Sequence, residues 1–335
     1  MTAESPAPLN PIGIIEALDA YQISLALKGA IELEVFTHIA DGAATPAEIA
    51  KRANASERGT RILCDFLTVR GFLTKSGDEY GLTPESSAFL SKQSPAYMGS
   101  VALFLAHWYH IDHFRDIAAV VRRGGSLSEG NMGPDDPIWV EFARHMTPIA
   151  MSASSIAPLL TEPGRSIKVL DIAAGPGMYG IFVAQYNLAS QIFAVDWANV
   201  LQVAQENASK FGVAGRYHTL PGSAFEVDFG TGYDLVLLPN FLHHFDPPTV
   251  VRLLKKIRAA MAPGAILATL EMVPNEDRIS PPFPAAFSMM MLASTPSGDA
   301  YTFPELDAML REAGFSQNEL RQLPGAPMSL IITRQ

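Results

Sequence analysis

An apolar run that meets a carboxylate and then turns on three glycines, Val169-Leu-Asp-Ile-Ala-Ala-Gly-Pro-Gly-Met-Tyr-Gly180, constrains this chain more than any other stretch. It reads as a buried strand, a tight turn and the start of a helix, with glycine where the backbone must come close to a ligand. Apolar runs at 168–172, 191–195, 216–220, 233–238 and 266–270 alternate with helical segments. That alternation predicts a doubly wound α/β domain with a mostly parallel sheet over residues 161–335. Runs at 318–323 and 328–333 flank Pro324-Gly325-Ala326-Pro327 and predict a terminal antiparallel hairpin on the sheet's edge.

Residues 10–94 are patterned differently. Thr45-Pro-Ala-Glu48 has the form of a capping box opening a short helix, and Ser56-Glu-Arg-Gly59 opens a second one through Val69. Short apolar pieces at 71–74 and 79–82 straddle a turn, which completes a mainly helical winged-helix outline. The segments 12–27 and 29–36 are too apolar for a free surface and predict burial against a second copy of the chain, a homodimer. Between the domains, 95–160 reads as a helical linker lining a pocket, with a long helical stretch over 95–123, a glycine-containing loop over 130–137 and helix again over 138–160.

With 24 Lys+Arg against 34 Asp+Glu, the net charge of -10 repels a phosphate backbone and an anionic membrane surface alike. Nucleic acid and membrane are therefore not expected partners. The N-terminus lacks the basic start and apolar run of an export signal, and no apolar run approaches the roughly 20 residues of a membrane helix. The single Cys64 lies in an apolar helical pattern and fits a buried thiol, so a cytoplasmic location is expected.

Gly175, Gly177 and Gly180 alone are shared with dinucleotide enzymes. Asp171 breaks the tie: a carboxylate before the turn repels a pyrophosphate but suits the ammonium of an amino-acid-bearing ligand, which favours S-adenosyl-L-methionine over NAD. Asp196, twenty-one residues after Gly175, ends the second strand where it can accept from both ribose hydroxyls, and Trp197 offers a flat surface for adenine.

On these residues the chain resembles the class I S-adenosylmethionine-dependent methyltransferases, and among them the small-molecule O-methyltransferases with an N-terminal winged-helix dimerisation domain. The resemblance is carried by Leu170-Asp-Ile-Ala-Ala-Gly175, Asp196, Gly222-Ser-Ala-Phe225 and Leu242-His243. It implies that Gly222, Ser223, Ala224 and Phe225 close over adenine, although Ser223 replaces the family's usual acid. It also implies that His243 is the general base and that Glu271, ending the fifth strand, braces it. The second bracing acid falls at Ala300, so either Asp299 or Tyr301 substitutes, or the acceptor reacts by proximity, or the methyl goes to carbon or nitrogen. His244 stands where the family carries an acid.

Asn240, leaving the fourth strand beside the expected sulfonium, is placed to orient cofactor or substrate. For a planar, apolar acceptor the lining candidates are His107, Trp108, His110, Trp139, Phe142, Met146, Phe287, Met290 and Tyr301. His107, His110 and His113 drift around a helix without a supporting acid or cysteine cluster, so no metal is expected. The functional expectation is methyl transfer to a hydroxyl of a small, apolar or aromatic acceptor. The alternatives are a C-methyltransferase of a pigment or polyketide, and a cofactor-sensing regulator that binds DNA through Arg58, Arg61 and Arg70.

Overall fold

The computed structural model describes residues 10–128, 133 and 136–335. The chain divides into compact units, one ending at His107 and the other beginning at Trp108. In the first, α1 (Ile12–Glu32), α2 (Val35–Ala40), α3 (Pro46–Ala53) and α4 (Glu57–Val69) precede a hairpin of β1 (Leu73–Ser76) and β2 (Glu79–Leu82). α5 (Pro84–Phe89) and α6 (Ser100–Leu105) follow. The capping box forms: the Thr45 hydroxyl accepts from the Glu48 N–H at 3.4 Å, and the Glu48 carboxylate accepts from the Thr45 N–H at 3.0 Å. Ser56 caps α4 in the same way, accepting from the Gly59 N–H at 3.1 Å. Phe36, Ile49, Cys64, Leu67 and Tyr80 close a core between these helices and the hairpin, and burial pushes the Cys64 thiol up to about 12.

The second unit begins with short helices, α7 (Trp108–His113), α8 (Ile117–Arg123), α9 (Ile138–His145), α10 (Thr147–Ala150) and α11 (Ala157–Leu160). The long helices expected over 95–123 and 138–160 are thus broken, for local reasons. Asp116 caps α8 by accepting the Ala119 N–H at 3.0 Å, and Pro148 and Pro158 sit in the first turns of α10 and α11, where a ring costs no hydrogen bond. The loop expected over 130–137 lies largely outside the described residues.

The sheet comprises β3 (Ile167–Ile172), β4 (Ser190–Asp196), β5 (Tyr217–Pro221), β6 (Tyr233–Pro239), β7 (Met261–Glu271), β8 (Gln317–Gln322) and β9 (Ser329–Arg334). Its order is β5-β4-β3-β6-β7-β9-β8, parallel from β5 to β7, with β9 antiparallel to β7 and β8 antiparallel to β9. α12 (Met178–Tyr186), α13 (Ala198–Lys210), α14 (Pro247–Ala260), α15 (Pro282–Ser294) and α16 (Phe303–Glu312) complete the unit. Val169, Leu235 and Leu237 face one core, while their neighbours Leu170, Val236 and Leu238 face the other, so both sheet faces are buried and the strands read as continuous apolar runs. Strand order reverses between β3 and β6, which opens a crevice at their carboxyl ends; the expected cofactor and catalytic residues lie in or just after the carboxyl-terminal halves of β3, β4, β5, β6 and β7. Among the described residues no helix is long and apolar enough to cross a membrane.

Candidate active site

After β3 the backbone turns sharply, with Ala173, Gly175 and Gly177 at φ 52°, 55° and 77°. A Cβ on Gly177 would lie 2.5 Å from the Tyr217 hydroxyl and one on Gly175 3.3 Å from the Phe142 ring, so the turn excludes side chains by contact as well as by conformation. Asp171 is fully buried beneath the first turn of α12. Its Oδ2 accepts from the Gly180 N–H at 3.0 Å, and its Oδ1 has no partner among the described residues. Burial pushes this carboxyl up to about 8. Asp196 ends β4 with Oδ2 accepting from the Gly175 N–H at 2.8 Å and Oδ1 from the Trp197 N–H at 2.7 Å. Burial raises it to about 6 against those two bonds.

Trp197 packs with Trp139 and Val140 against Ala143, Val200 and Val203. Gly222, at φ 143°, donates its N–H to the Asp196 carbonyl at 2.9 Å, which ties the next turn to the same edge. There the Ser223 hydroxyl accepts from the Phe225 N–H at 3.2 Å, the Ala224 carbonyl takes the Lys256 ammonium at 3.0 Å, and the Phe225 ring lies edge-on to Phe245 at 5.0 Å.

The second part of the site follows β6. Asn240 adopts φ 51°, donates its N–H to the Leu270 carbonyl at 2.7 Å and its amide to the Tyr179 hydroxyl at 3.4 Å. The next three residues all meet one carboxylate. Glu271 Oε1 accepts from the N–H groups of Phe241 (3.0 Å) and Leu242 (2.7 Å), and Oε2 lies 2.5 Å from His243 Nδ1. This leaves His243 Nε2 as the nitrogen available to a substrate. The Phe287 ring of α15 stands edge-on to the imidazole at 4.9 Å. His244 lies 4.4 Å from His243 and 5.8 Å from Trp139, ring to ring, and burial together with His243 holds it well below the usual imidazole range.

Neither substitute for the missing second acid braces His243. Asp299 pairs with Arg278 at 3.3 Å, and the hydroxyl of Tyr301, a residue of the core, donates to the Phe245 carbonyl at 2.5 Å. Ala300 is fully buried. Trp139, Phe142 and Met146 lie on α9 or at its end, Phe287 and Met290 on α15, and α15 packs on α7, which carries His110. Trp108 opens α7 and is 68% exposed, whereas His107 closes the first unit. Sequence reasoning missed Gly298, where a Cβ would lie 2.2 Å from the His243 carbonyl oxygen. The signal was the Ser297-Gly298-Asp299 turn itself, which carries no mark of what presses on it.

Residues 15–92 match the O-methyltransferase dimerisation domain, and residues 169–264 match a methyltransferase domain. A Nostoc punctiforme structure described as a candidate O-methyltransferase superimposes with a TM-score of 0.94 at 47% identity, over 98% of this chain and 100% of that one. The chain belongs to the O-methyltransferase family. More distant curated relatives include the methyl transferase PigF of a Serratia strain, named as S-adenosyl-L-methionine-dependent, at 26% identity over 92% of this chain and 91% of that protein. A Streptomyces sahachiroi 3-hydroxy-5-methyl-1-naphthoate 3-O-methyltransferase is 26% identical over 87% of this chain and 85% of its own length. Mouse acetylserotonin O-methyltransferase is 25% identical over 96% and 88%. The protein is an S-adenosylmethionine-dependent O-methyltransferase, and the carbon-methylating and DNA-binding alternatives gain no support.

Two predictions come from this geometry. Asp171 and Asp196 hold their protons to higher pH in the folded protein than near pH ~4 as in an unfolded chain, so the stability they contribute is complete below about pH 4 and is lost as pH rises through about 6 and then about 8. The melting temperature of Asp171→Asn should therefore gain on wild type between about pH 4 and pH 8 and level off above that; a difference independent of pH would count against the assignment. Gly298→Ala should cost about 2 to 4 kcal/mol in denaturant unfolding, because its methyl group meets the His243 backbone. An unchanged midpoint would show that the loop yields.

Proposed function

We infer that this enzyme methylates a hydroxyl of a small aromatic acceptor, with His243 as general base and Glu271 as its brace. The observation that carries this reading is the 2.5 Å contact between His243 Nδ1 and Glu271, both buried, which leaves Nε2 as the ring nitrogen outside that contact. S-adenosylmethionine supplies an electrophilic methyl group on a positively charged sulfur. The residues present fit it: the unpartnered Asp171 Oδ1 suits its ammonium, and the Asp196 oxygens, each anchored by one N–H, keep lone pairs for ribose hydroxyls. Trp197 and Phe225 offer rings for adenine, and Asn240, strained at φ 51°, orients the groups between them.

A phenol near ~10 does not ionise freely at neutral pH, while an imidazole near ~6.5 can accept its proton as the bond to carbon forms. His243 Nε2 takes that proton, and the resulting imidazolium is held by the Glu271 carboxylate. The lining of Trp139, Phe142, Met146, Phe287 and Met290 suits a flat guest, and the naphthoate and acetylserotonin enzymes among the relatives are named for aromatic acceptors.

The active form is a homodimer built through a winged-helix N-terminal unit, in the cytosol. α1 exposes large apolar side chains, with Ile14 at 68% and Leu18 at 72% exposure, and most of it belongs to the segment that matches the dimerisation domain. Two measurements test these readings. His243→Ala should lower kcat by about 100- to 10,000-fold while calorimetry still detects S-adenosylhomocysteine, and Asp196→Ala should weaken that binding by about 10- to 100-fold; full turnover by His243→Ala sinks the base. Leu18→Glu combined with Tyr21→Glu should sediment as a monomer, and a persistent dimer would place the interface elsewhere.

A further inference from the structure

Two nitrogen atoms beside the base have no use in the mechanism above. Trp139 Nε1 and His244 Nδ1 are both buried, and neither has a hydrogen-bond partner among the described residues. Their rings meet edge to face at 5.8 Å, and His244 lies 4.4 Å from His243. A buried polar atom left unpaired loses its bonds to water without replacement, so two on neighbouring rings are destabilising unless a ligand completes them.

Chemistry restricts that ligand. An indole N–H only donates, so its partner must be an acceptor atom. His244 is neutral in this setting and can donate from Nδ1. A carbonyl oxygen, with two lone pairs, takes both bonds, and it must sit close to the hydroxyl whose proton goes to His243 Nε2. Building on the acceptor reading given above, we propose that Trp139 and His244 form a carbonyl-binding pair that selects aromatic acceptors whose reacting hydroxyl is flanked by a carbonyl oxygen. Such a hydroxyl is normally tied up in an internal hydrogen bond to its neighbour. Donation from Trp139 and His244 takes over the carbonyl lone pairs and frees the hydroxyl proton for His243, while the hydroxyl oxygen gains the methyl group. The pair also borders the cofactor side, because Trp139 and Trp197 pack against the same cluster of Ala143, Val200 and Val203. The competing source of an acceptor oxygen is therefore the carboxylate of the cofactor.

The test compares ortho-hydroxyacetophenone with para-hydroxyacetophenone, which share the electronic effect of the carbonyl and differ in its place. Wild type should favour the ortho isomer in kcat/KM by about tenfold or more, the worth of one to two neutral hydrogen bonds. Trp139→Phe and His244→Phe should each bring that ratio towards one, and His244→Gln, which restores a donor, should recover part of it. If neither ketone is turned over, the same ratio is read from their dissociation constants on enzyme saturated with S-adenosylhomocysteine. Equal constants, as expected if water alone fills the position, overturn the proposal. So does an unmoved ratio in variants whose affinity for S-adenosylhomocysteine falls tenfold, which assigns the donors to the cofactor. Methylation of the para isomer alone leaves His243 as the base of an aromatic O-methyltransferase and removes only the carbonyl pair.

Discussion

A single buried carboxylate organises the reactive end of this enzyme. Glu271 is nearly inaccessible to solvent, and an unpaired charge there would cost several kcal/mol. The fold meets that cost with three bonds to consecutive residues, two from the backbone of Phe241 and Leu242 and one at the His243 imidazole. The backbone pair stops the chain from continuing as a strand after β6, and the side-chain contact fixes the His243 imidazole. Because Pro239 is paired with Leu270 in the β6–β7 ladder, and Asn240 donates to the Leu270 carbonyl, the His243 imidazole inherits its position from the sheet register. A slip of that register would move the imidazole with it.

The two sides of the crevice are electrostatically unlike. At the glycine turn stand two acids whose protons are held by burial, a setting that awaits a cation. Around His243 the neighbours are rings: Phe287, a neutral His244 and Trp139. Methyl transfer joins a cationic sulfur centre and a developing oxyanion into uncharged products, and charge cancellation of this kind is favoured where water is excluded. Both acids lie at the glycine turn, whereas beside these rings the carboxylate is that of Glu271, in contact with His243.

Much of this was legible in the sequence, because the strongest signals are local. The alternating apolar runs located β3 to β7, the terminal pair located β8 and β9, and Thr45-Pro-Ala-Glu48 located a helix start that the structure reproduces bond for bond. Other features depend on residues distant in sequence and leave no trace at the position itself. The breaks that divide 95–123 and 138–160 come from one capping aspartate and two prolines within otherwise helical apolar patterns. The commitment of Tyr301 to Phe245, and of Asp299 to Arg278, could not be read from their spacing to His243. Gly298 is fixed by the His243 carbonyl, a contact 55 residues away that a turn-forming dipeptide does not announce.

The missing second acid has a physical consequence once Asp299 and Tyr301 are accounted for. Bracing His243 does not require it, since Glu271 already fixes the imidazole with one oxygen and the adjoining backbone with the other. A further carboxylate would sit near the oxygen that becomes negative as its proton leaves. Two like charges at 4 Å repel by about 4 kcal/mol at an effective dielectric of 20, enough to outweigh what a second hydrogen bond to the base contributes. With a buried alanine at 300 and a neutral imidazole at 244, that repulsion is absent.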